Sequence, residues 1–102
     1  MNTVKIGAIY RICNWVWKID SGDRFYAIPT RVASDNSKFM AETWDTRGEG
    51  SKKTLCHNIC DEIETLEDEH FKIIELKSSK EMRDAIRSIL SCDSYAETED
   101  DD

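Results

Sequence analysis

Hydrophobic residues recur at helical spacing over residues 54–66, TLCHNICDEIETL. The apolar positions fall on one side of a helical wheel: Leu55, Ile59, Ile63 and Leu66, widened by Cys56 and Cys60. The polar residues on the other side turn strongly acidic from Asp61 onward. We predict an amphipathic helix that buries its apolar face, including Ile59 and Ile63, and presents a row of carboxylates outward.

A second helical pattern covers residues 78–92. Ser78 and Glu81 have the spacing of a capping box, in which the two side chains bond each other's backbone N–H groups at the start of a helix. An apolar stripe follows: Met82, Ala85, Ile86, Ile89 and Leu90. The pattern predicts a second helix that ends near Cys92.

A period of two, typical of half-buried strands, occurs in residues 4–12, and residues 38–44 also have the pattern of a strand. Residues 25–28 are predicted to form the return strand of a hairpin, and residues 71–76 are a short run of β-prone residues. The apolar phase of the first stretch shifts after Asn14, which predicts a bend or bulge near Cys13 and Asn14. Turn residues at positions 20–23, DSGD, predict a hairpin between the first two strands. Pro29 has no N–H to donate, which predicts that the second strand ends there or lies at an edge of the sheet.

These elements predict an α+β fold in the order βββαβα: a three- to four-stranded, mainly antiparallel sheet with both helices on one face. A chain of 102 residues suits one domain, which we place at residues 1–94. Residues 45–53, with two glycines and mixed charge, are expected to form an exposed mobile loop. Residues 95–102, YAETEDDD, repel one another and have little to bury, so we expect a disordered acidic C-terminal tail.

The net charge of -7 is unevenly divided along the chain. Residues 1–60 carry nine Lys or Arg against six Asp or Glu, a net of +3, whereas residues 61–102 carry five against fifteen, a net of -10. Affinity for nucleic acid comes largely from basic side chains that neutralise phosphates. The acidic half therefore disfavours nucleic acid as a direct ligand and favours a partner protein with a basic surface.

The composition also bears on the compartment. No apolar run approaches the roughly 20 residues of a membrane span, and charges interrupt the apolar residues of the N-terminal stretch. We therefore expect no membrane partner and identify no signal peptide. Four cysteines without a secretory context are expected to be reduced thiols, which favours the cytoplasm.

Three neighbouring residues suggest metal or nucleophile chemistry, but their spacing argues against it. Cys56, His57 and Cys60 are zinc-ligand types, yet the spacing is not that of a zinc knuckle and both cysteines lie on the predicted buried stripe. A cysteine nucleophile needs a base within hydrogen-bond reach, whereas His57 points away from the cysteine face of the predicted helix. We therefore predict no metal site, no cofactor and no catalytic residues.

Aromatic residues beside basic ones on the predicted strands give an alternative binding surface. The aromatic residues are Trp15, Trp17, Tyr26 and Trp44, near Arg11, Lys18, Arg24 and Arg31. Such a surface can stack a nucleotide, another small ligand or single-stranded nucleic acid. The simpler interpretation is that these aromatics fill the core, or that they anchor a homodimer or another protein interface.

The acidic row in and after the first predicted helix is the main candidate for partner binding: Asp61, Glu62, Glu64, Glu67, Asp68 and Glu69. In size and charge the chain resembles, in general character, the small inhibitors and host-takeover or anti-defence proteins of phages and mobile elements. We expect an acidic protein-binding module that covers a basic surface of a host protein, including one that normally contacts nucleic acid. A small-ligand or nucleotide binder that uses the aromatic and basic strand face is the alternative.

Overall fold

The computed structural model describes residues 3–14, 23–48 and 52–92, together with the backbone of residues 94–95. These residues form, in order, β1 (Tyr10–Asn14), β2 (Phe25–Val32), β3 (Lys38–Arg47), β4 (Thr54–Glu64), β5 (Phe71–Glu75), α1 (Ser79–Ser91) and β6 (Ser94–Tyr95). The fold is α+β, as predicted. Outside the described residues lie Trp15, Trp17, the first three residues of the turn predicted at 20–23, and residues 96–102 of the tail predicted at 95–102.

The described strands form one sheet in the order β5-β1-β2-β3-β4-β6. Neighbouring strands are antiparallel from β5 to β4, and the short β6 pairs with β4 in parallel through Cys56 and His57. The predicted counts of three to four strands and two helices are therefore wrong, because the described residues contain six strands and one helix. The predicted order βββαβα becomes βββββαβ.

The predicted helix over residues 54–66 is instead strand β4. Its backbone pairs with β3 from one end of that strand to the other. A spacing of four residues is even, so Leu55, Ile59 and Ile63 satisfy the period of a strand as well as that of a helix. Pairing with β3 satisfies the backbone N–H and C=O groups of the segment, and this tertiary context decides between the two structures.

A β-bulge interrupts β4. The pairing slips by one residue between Ala41 and Thr43 of β3, so Ile59 and Cys60 together face a single residue of β3. Ile59 is 59% exposed, whereas Ile63 beyond the bulge is 7% exposed. The expectation that both isoleucines face the core is therefore wrong for Ile59 and right for Ile63.

Three of the four predicted strands correspond to β2, β3 and β5. The first predicted strand begins later than expected, at Tyr10, and continues through Cys13 and Asn14, where a bend was predicted. Pro29 does not end β2. The strand continues past a register shift between Pro29 and Arg31, an irregularity of the kind that accommodates proline in a sheet.

A tight turn joins β2 to β3. Asn36 has a φ of 60°, in the left-handed region that asparagine tolerates. The Ser37 hydroxyl and backbone N–H donate to Asp35 Oδ1 at 2.7 and 3.1 Å. These two bonds, the hydroxyl bond first, stabilise the carboxylate and lower the pKa of Asp35.

Side chains on the two sides of the sheet form two separate cores. On the helix face, which carries α1, Tyr26, Trp44 and Leu76 pack with Ala85 of the helix. The opposite side, the far face, has the larger core: Val4, Tyr10, Ile12, Phe25, Ala27, Phe39, Ala41, Ile63 and Ile73. Val4 and the partly buried Ala8 show that the segment before β1 covers part of the far face.

Helix α1 begins as predicted. The Glu81 N–H donates to Ser78 Oγ at 3.1 Å, the Ser78 hydroxyl lies 3.3 Å from Glu81 Oε1, and Cys92 is the C-cap. The predicted apolar stripe is only partly buried. Ala85 is inaccessible to solvent, whereas three residues of the stripe are exposed: Met82, Ile86 and Leu90.

The connection from β4 to β5 must cross the sheet. Four strand spacings separate β4 from β5 in the sheet order, which is about 19 Å in a flat sheet. Residues 65–70 join the two strands, and a segment of this length reaches roughly 20–25 Å when fully extended. Residues 65–70 are therefore close to fully extended, and they lie beside the far face.

Candidate functional site

A cleft of about 400 Å³ lies on the far face, beside residues 65–70. Its apolar lining comes from four strands and the connection: Ile12, Phe25, Ile63, Leu66 and Phe71. Three of these residues, Ile12, Phe25 and Ile63, belong to the far-face core. The cleft therefore has an apolar floor that is continuous with the core and is held in place by the sheet.

Carboxylates outnumber basic groups around this cleft. The acidic residues in the lining are Asp45, Asp61, Glu62, Glu64 and Asp68, and the basic residue is Arg47. Four of the five acids belong to the predicted partner-binding row, and Asp45 is an addition. Asp61 lies on the same side of β4 as Ile63, whereas Glu62 and Glu64 pair with Met40 and Lys38 and point to the other side of the sheet. Acids of the row therefore lie on both sides of the end of β4, and Asp61 is the one in β4 that faces the apolar floor.

Asp45 is the most buried charged residue of the lining, at 1% exposure. Arg47 lies two positions further along β3, on the same side of the strand, and its Nε is 3.3 Å from both carboxylate oxygens of Asp45. Asn58 Nδ2 approaches Asp45 Oδ1 at 3.5 Å. Because a buried carboxylate is costly unless it is paired, Arg47 serves mainly to stabilise Asp45.

Asp61 and Glu62 follow the bulge of β4. Asp61 is half-buried, and its Oδ2 lies 3.4 Å from the hydroxyl of the buried Thr43. Glu62 lies 3.7 Å from Lys38 Nζ, and both side chains are about half exposed. Exposed ion pairs of this kind contribute roughly 0–1 kcal/mol, so this pair adds little to stability.

Three of the predicted binding acids lie in residues 65–70 and have partners within the chain. Glu67 Oε2 accepts the backbone N–H of Ile73 at 2.8 Å, and Asp68 Oδ1 accepts the backbone N–H of His70 at 2.7 Å. Glu69 Oε2 lies 3.2 Å from His70 Nε2. Glu67 and Asp68 therefore help to fix the path of the connection that borders the cleft.

Two residues of the predicted aromatic surface, Tyr26 and Trp44, are buried in the helix-face core. The Trp44 ring stacks on His57, with ring centroids 4.6 Å apart and planes 5° from parallel. His57 Nε2 lies 2.9 Å from Glu42 Oε1. Tyr26 and Trp44 thus fill the core, as the simpler interpretation of these aromatics expects.

The cysteines and histidine considered as zinc ligands do not converge. Cys56 is buried opposite Asp45, whereas His57, the next residue of β4, lies opposite Trp44 on the other side of the sheet. Cys60 is exposed at the bulge. Among the residues that the structure describes, no group of three His, Cys, Asp or Glu side chains is arranged to hold a metal ion.

Sequence reasoning missed Asp45 and Arg47 because it assigned both residues to a mobile loop. The loop is shorter than expected, since β3 continues to Arg47. The available signal was the period of two within β3, which puts Thr43, Asp45 and Arg47 on the side of the buried Phe39. Aspartate is depleted in strands, and this local preference obscured the continuation.

Comparison of the chain with protein-family models, with curated proteins and with solved structures finds no match. Within the described part of the chain, no helix is long and apolar enough to cross a membrane. The functional proposal therefore rests on the geometry and charge of the cleft.

Proposed function

We propose that this protein is a small acidic protein-binding module. It acts as an inhibitor, or as a host-takeover or anti-defence type protein of a phage or mobile element, and covers a basic surface of a partner protein. A surface that normally contacts nucleic acid is one candidate for this basic surface, because such surfaces are rich in Lys and Arg.

One observation supports the proposal: acids of the predicted binding row are concentrated at the end of β4 and in the connection after it, next to a cleft with an apolar floor. Asp61 and Asp68 line the cleft, and Glu62 and Glu64 lie on the other side of the same strand. Carboxylates around the rim attract a basic partner and raise the rate of encounter. Apolar contacts at the centre, where water is excluded, slow dissociation. The same cleft thus offers both components of a specific protein interface.

Exposed apolar residues near the acids support the same interpretation. Leu66 is 84% exposed within the acidic connection, and Ile59 at the bulge of β4 is also largely exposed. Single exposed apolar residues are common on protein surfaces. Leu66 differs because it also lines the cleft, where a bound partner would cover it.

The alternative of a small-ligand or nucleotide binder has less support. It relied on an aromatic and basic strand face, and the structure buries Tyr26 and Trp44 in the core. The cleft itself disfavours phosphate groups, because its lining holds five carboxylates and one guanidinium. A homodimer through the aromatic strands would likewise have to use residues other than these two.

We propose no catalytic role for the protein. We also propose that it is located in the cytoplasm. The location follows from the sequence, because four cysteines without a secretory context favour a reducing compartment. The acidic residues of the cleft are assigned to electrostatic recognition instead of proton transfer.

Capture of the partner from a host lysate, with a matched pair of variants, tests the proposal. The first variant, Glu62→Lys with Glu64→Lys, reverses two charges of the predicted binding row at the end of β4. The second, Glu75→Lys with Asp84→Lys, makes the same change in net charge at positions outside the cleft lining. We expect the parent and the second variant to capture the same basic protein, and the first variant to lose it.

Salt gives an independent control for the capture. Charges at a surface are screened over about 8 Å at physiological ionic strength, so the captured protein should be released as the salt concentration rises. A captured protein that is acidic, or that both variants retain equally at every salt concentration, would contradict the proposal.

A further inference from the structure

The outer edge of β4 is only partly covered. Strand β6 lies beside it at Cys56 and His57. In the part of the chain that the structure describes, no strand pairs with this edge between Asn58 and Glu64. A strand edge without a neighbour presents a row of N–H and C=O groups that can pair with another chain. The end of β4 can therefore accept an added strand.

The pairing of β4 with β3 shows which backbone groups point to that edge. The Thr65 N–H donates to the Ser37 carbonyl oxygen at 3.0 Å, in the register that continues the pairing of the two strands. In an antiparallel ladder, alternate residues bond to the partner strand and the residues between them point their backbone groups the other way. Counting back from Thr65, Ile63 bonds to β3, whereas the N–H and C=O groups of Glu62 and Glu64 point to the outer edge.

Acidic side chains flank the edge on both sides of the sheet. Glu62 and Glu64 lie on the helix face, and Asp61 lies on the far face with Ile63. Lys38 lies 3.7 Å from Glu62 and offsets one of the three charges. A partner that docks on one face of the sheet meets only part of this set. An extended segment that lies along the edge meets all three acids, because its own side chains alternate between the two faces.

We propose that the outer edge of β4 binds an extended basic segment of the partner protein as an added strand. This inference rests on the proposed function and specifies how its partner binds. The backbone of the segment bonds to the N–H and C=O groups of Glu62 and Glu64. Its Lys or Arg side chains pair with the carboxylates of Glu62, Glu64 and Asp61. Main-chain bonds supply affinity, and the side chains beside the strand select the sequence.

Like charge opposes two other occupants of the edge. A second copy of the chain that paired through the same edge would place acids next to Glu62 and Glu64, and like charges directly opposite each other destabilise a strand pair. Residues 96–102, which follow β6 in the sequence, hold five acids and no basic residue. The same repulsion would therefore act on them. A basic segment meets attraction instead.

Three synthetic peptides test the inference by NMR titration of the ¹⁵N-labelled protein. The first is acetyl-Thr-Arg-Thr-Arg-Arg-Thr-amide, which has threonine to favour a strand and no large apolar side chain. The second replaces the three arginines with glutamate. The third keeps the sequence but carries N-methyl groups on its four central residues, which removes backbone donors at unchanged charge. We expect the first peptide to bind about tenfold more tightly than either of the others, with shift changes centred on residues 61–65.

Hydrogen exchange reports the added strand directly. In the free protein, the N–H groups of Glu62 and Glu64 should exchange faster than those of Ile63 and Thr65, which bond to β3. The first peptide, at ten times its Kd, should slow exchange at Glu62 and Glu64 by about tenfold. Slow exchange at these two positions in the free protein would mean that the edge is already paired, and would overturn the inference.

Two substitutions at one position provide a matched control. Glu64→Thr and Glu64→Pro remove the same carboxylate, but only proline also removes the N–H that points to the edge. Both variants should keep the fold, because this N–H is not used in pairing with β3. Glu64→Pro should weaken binding of the first peptide several-fold more than Glu64→Thr does. Equal affinities of the two variants would count against an added strand.

The outcomes separate this inference from the proposed function. If the N-methylated peptide binds as tightly as the first, the edge adds no strand and the inference is wrong, but a preference for arginine over glutamate leaves the acidic module standing. Shift changes centred on Phe25 and Phe71, at the floor of the cleft, would also overturn the inference. If the glutamate peptide binds as tightly as the first, the proposed function itself is contradicted.

Discussion

Glu67 shows at the scale of one residue how an acid chosen from the sequence acquires a different task in the fold. Strand β5 is an outer strand of the described sheet, so one row of its backbone groups has no neighbouring strand. The Glu67 carboxylate accepts the N–H of Ile73 from that row. Acidic side chains at an edge also hinder pairing with other chains, so Glu67 both holds residues 65–70 and protects β5.

Replacing Glu67 should therefore affect stability before it affects binding. Glu67→Ala removes the acceptor for the Ile73 N–H and should lower the free energy of unfolding by about 1–2 kcal/mol. Glu67→Gln keeps an acceptor oxygen and should retain more than half of that stabilisation. Urea denaturation of the parent and the two variants measures the differences, and equal stability of all three proteins would show that the bond contributes nothing.

Ile59 and Ile63 make a second test at this scale, because the bulge of β4 gives them opposite environments. Ile63→Asp places a charge in the far-face core and should unfold the domain or destabilise it by about 3 kcal/mol or more. Ile59→Asp changes an exposed residue and should alter stability by about 0.5 kcal/mol or less. Thermal melts followed by circular dichroism compare them. A strong effect of Ile59→Asp would argue for a buried face that includes both residues.

At the scale of elements, the sequence patterns located the structured segments better than they distinguished a helix from a strand. The strands β2, β3 and β5 and the start of α1 follow from alternation, turn residues and the Ser78 cap. Strand β4 does not, because its apolar residues are spaced by four, which fits both periods, and because the bulge then changes which side chains are buried. Bulges depend on the partner strand, and local spacing therefore does not reveal them.

The cap of α1 gives the prediction that belongs to this scale. Ser78→Ala removes the oxygen that accepts the Glu81 N–H and should destabilise the domain by about 1 kcal/mol. Ser79→Ala, at the first residue of the helix, is the control and should be nearly neutral because alanine favours helix. Urea denaturation of both variants measures the difference. An equal effect of the two substitutions would mean that Ser78 does not act as the cap.

The candidate site was predictable in its charge but not in its shape. The acidic row was visible in the sequence, and it lies next to the cleft, with Asp61 and Asp68 in the lining and Glu62 and Glu64 on the other side of β4. The apolar floor was not, since it combines Ile12, Phe25, Ile63 and Phe71, which come from four strands brought together by the sheet order. Such long-range proximity follows from the pairing of strands and leaves no local pattern.

At the scale of the whole molecule, the structure shows where part of the negative charge of residues 61–102 lies. Residues 61–70 contribute six acids in the end of β4 and the following connection. Around the cleft the basic half contributes Arg47, which is engaged with Asp45. Within the described residues, the end of β4 and the connection after it therefore form a strongly negative region next to the sheet.

The association rate of the captured partner, measured by stopped-flow or surface plasmon resonance over a range of salt concentrations, tests this account most directly. For the parent and for the control variant Glu75→Lys with Asp84→Lys, the rate should fall steeply as salt rises. For Glu62→Lys with Glu64→Lys, the rate should already be about tenfold lower at low salt and should depend only weakly on salt. Equal rates for all three proteins at every salt concentration would contradict the account and place the binding surface elsewhere.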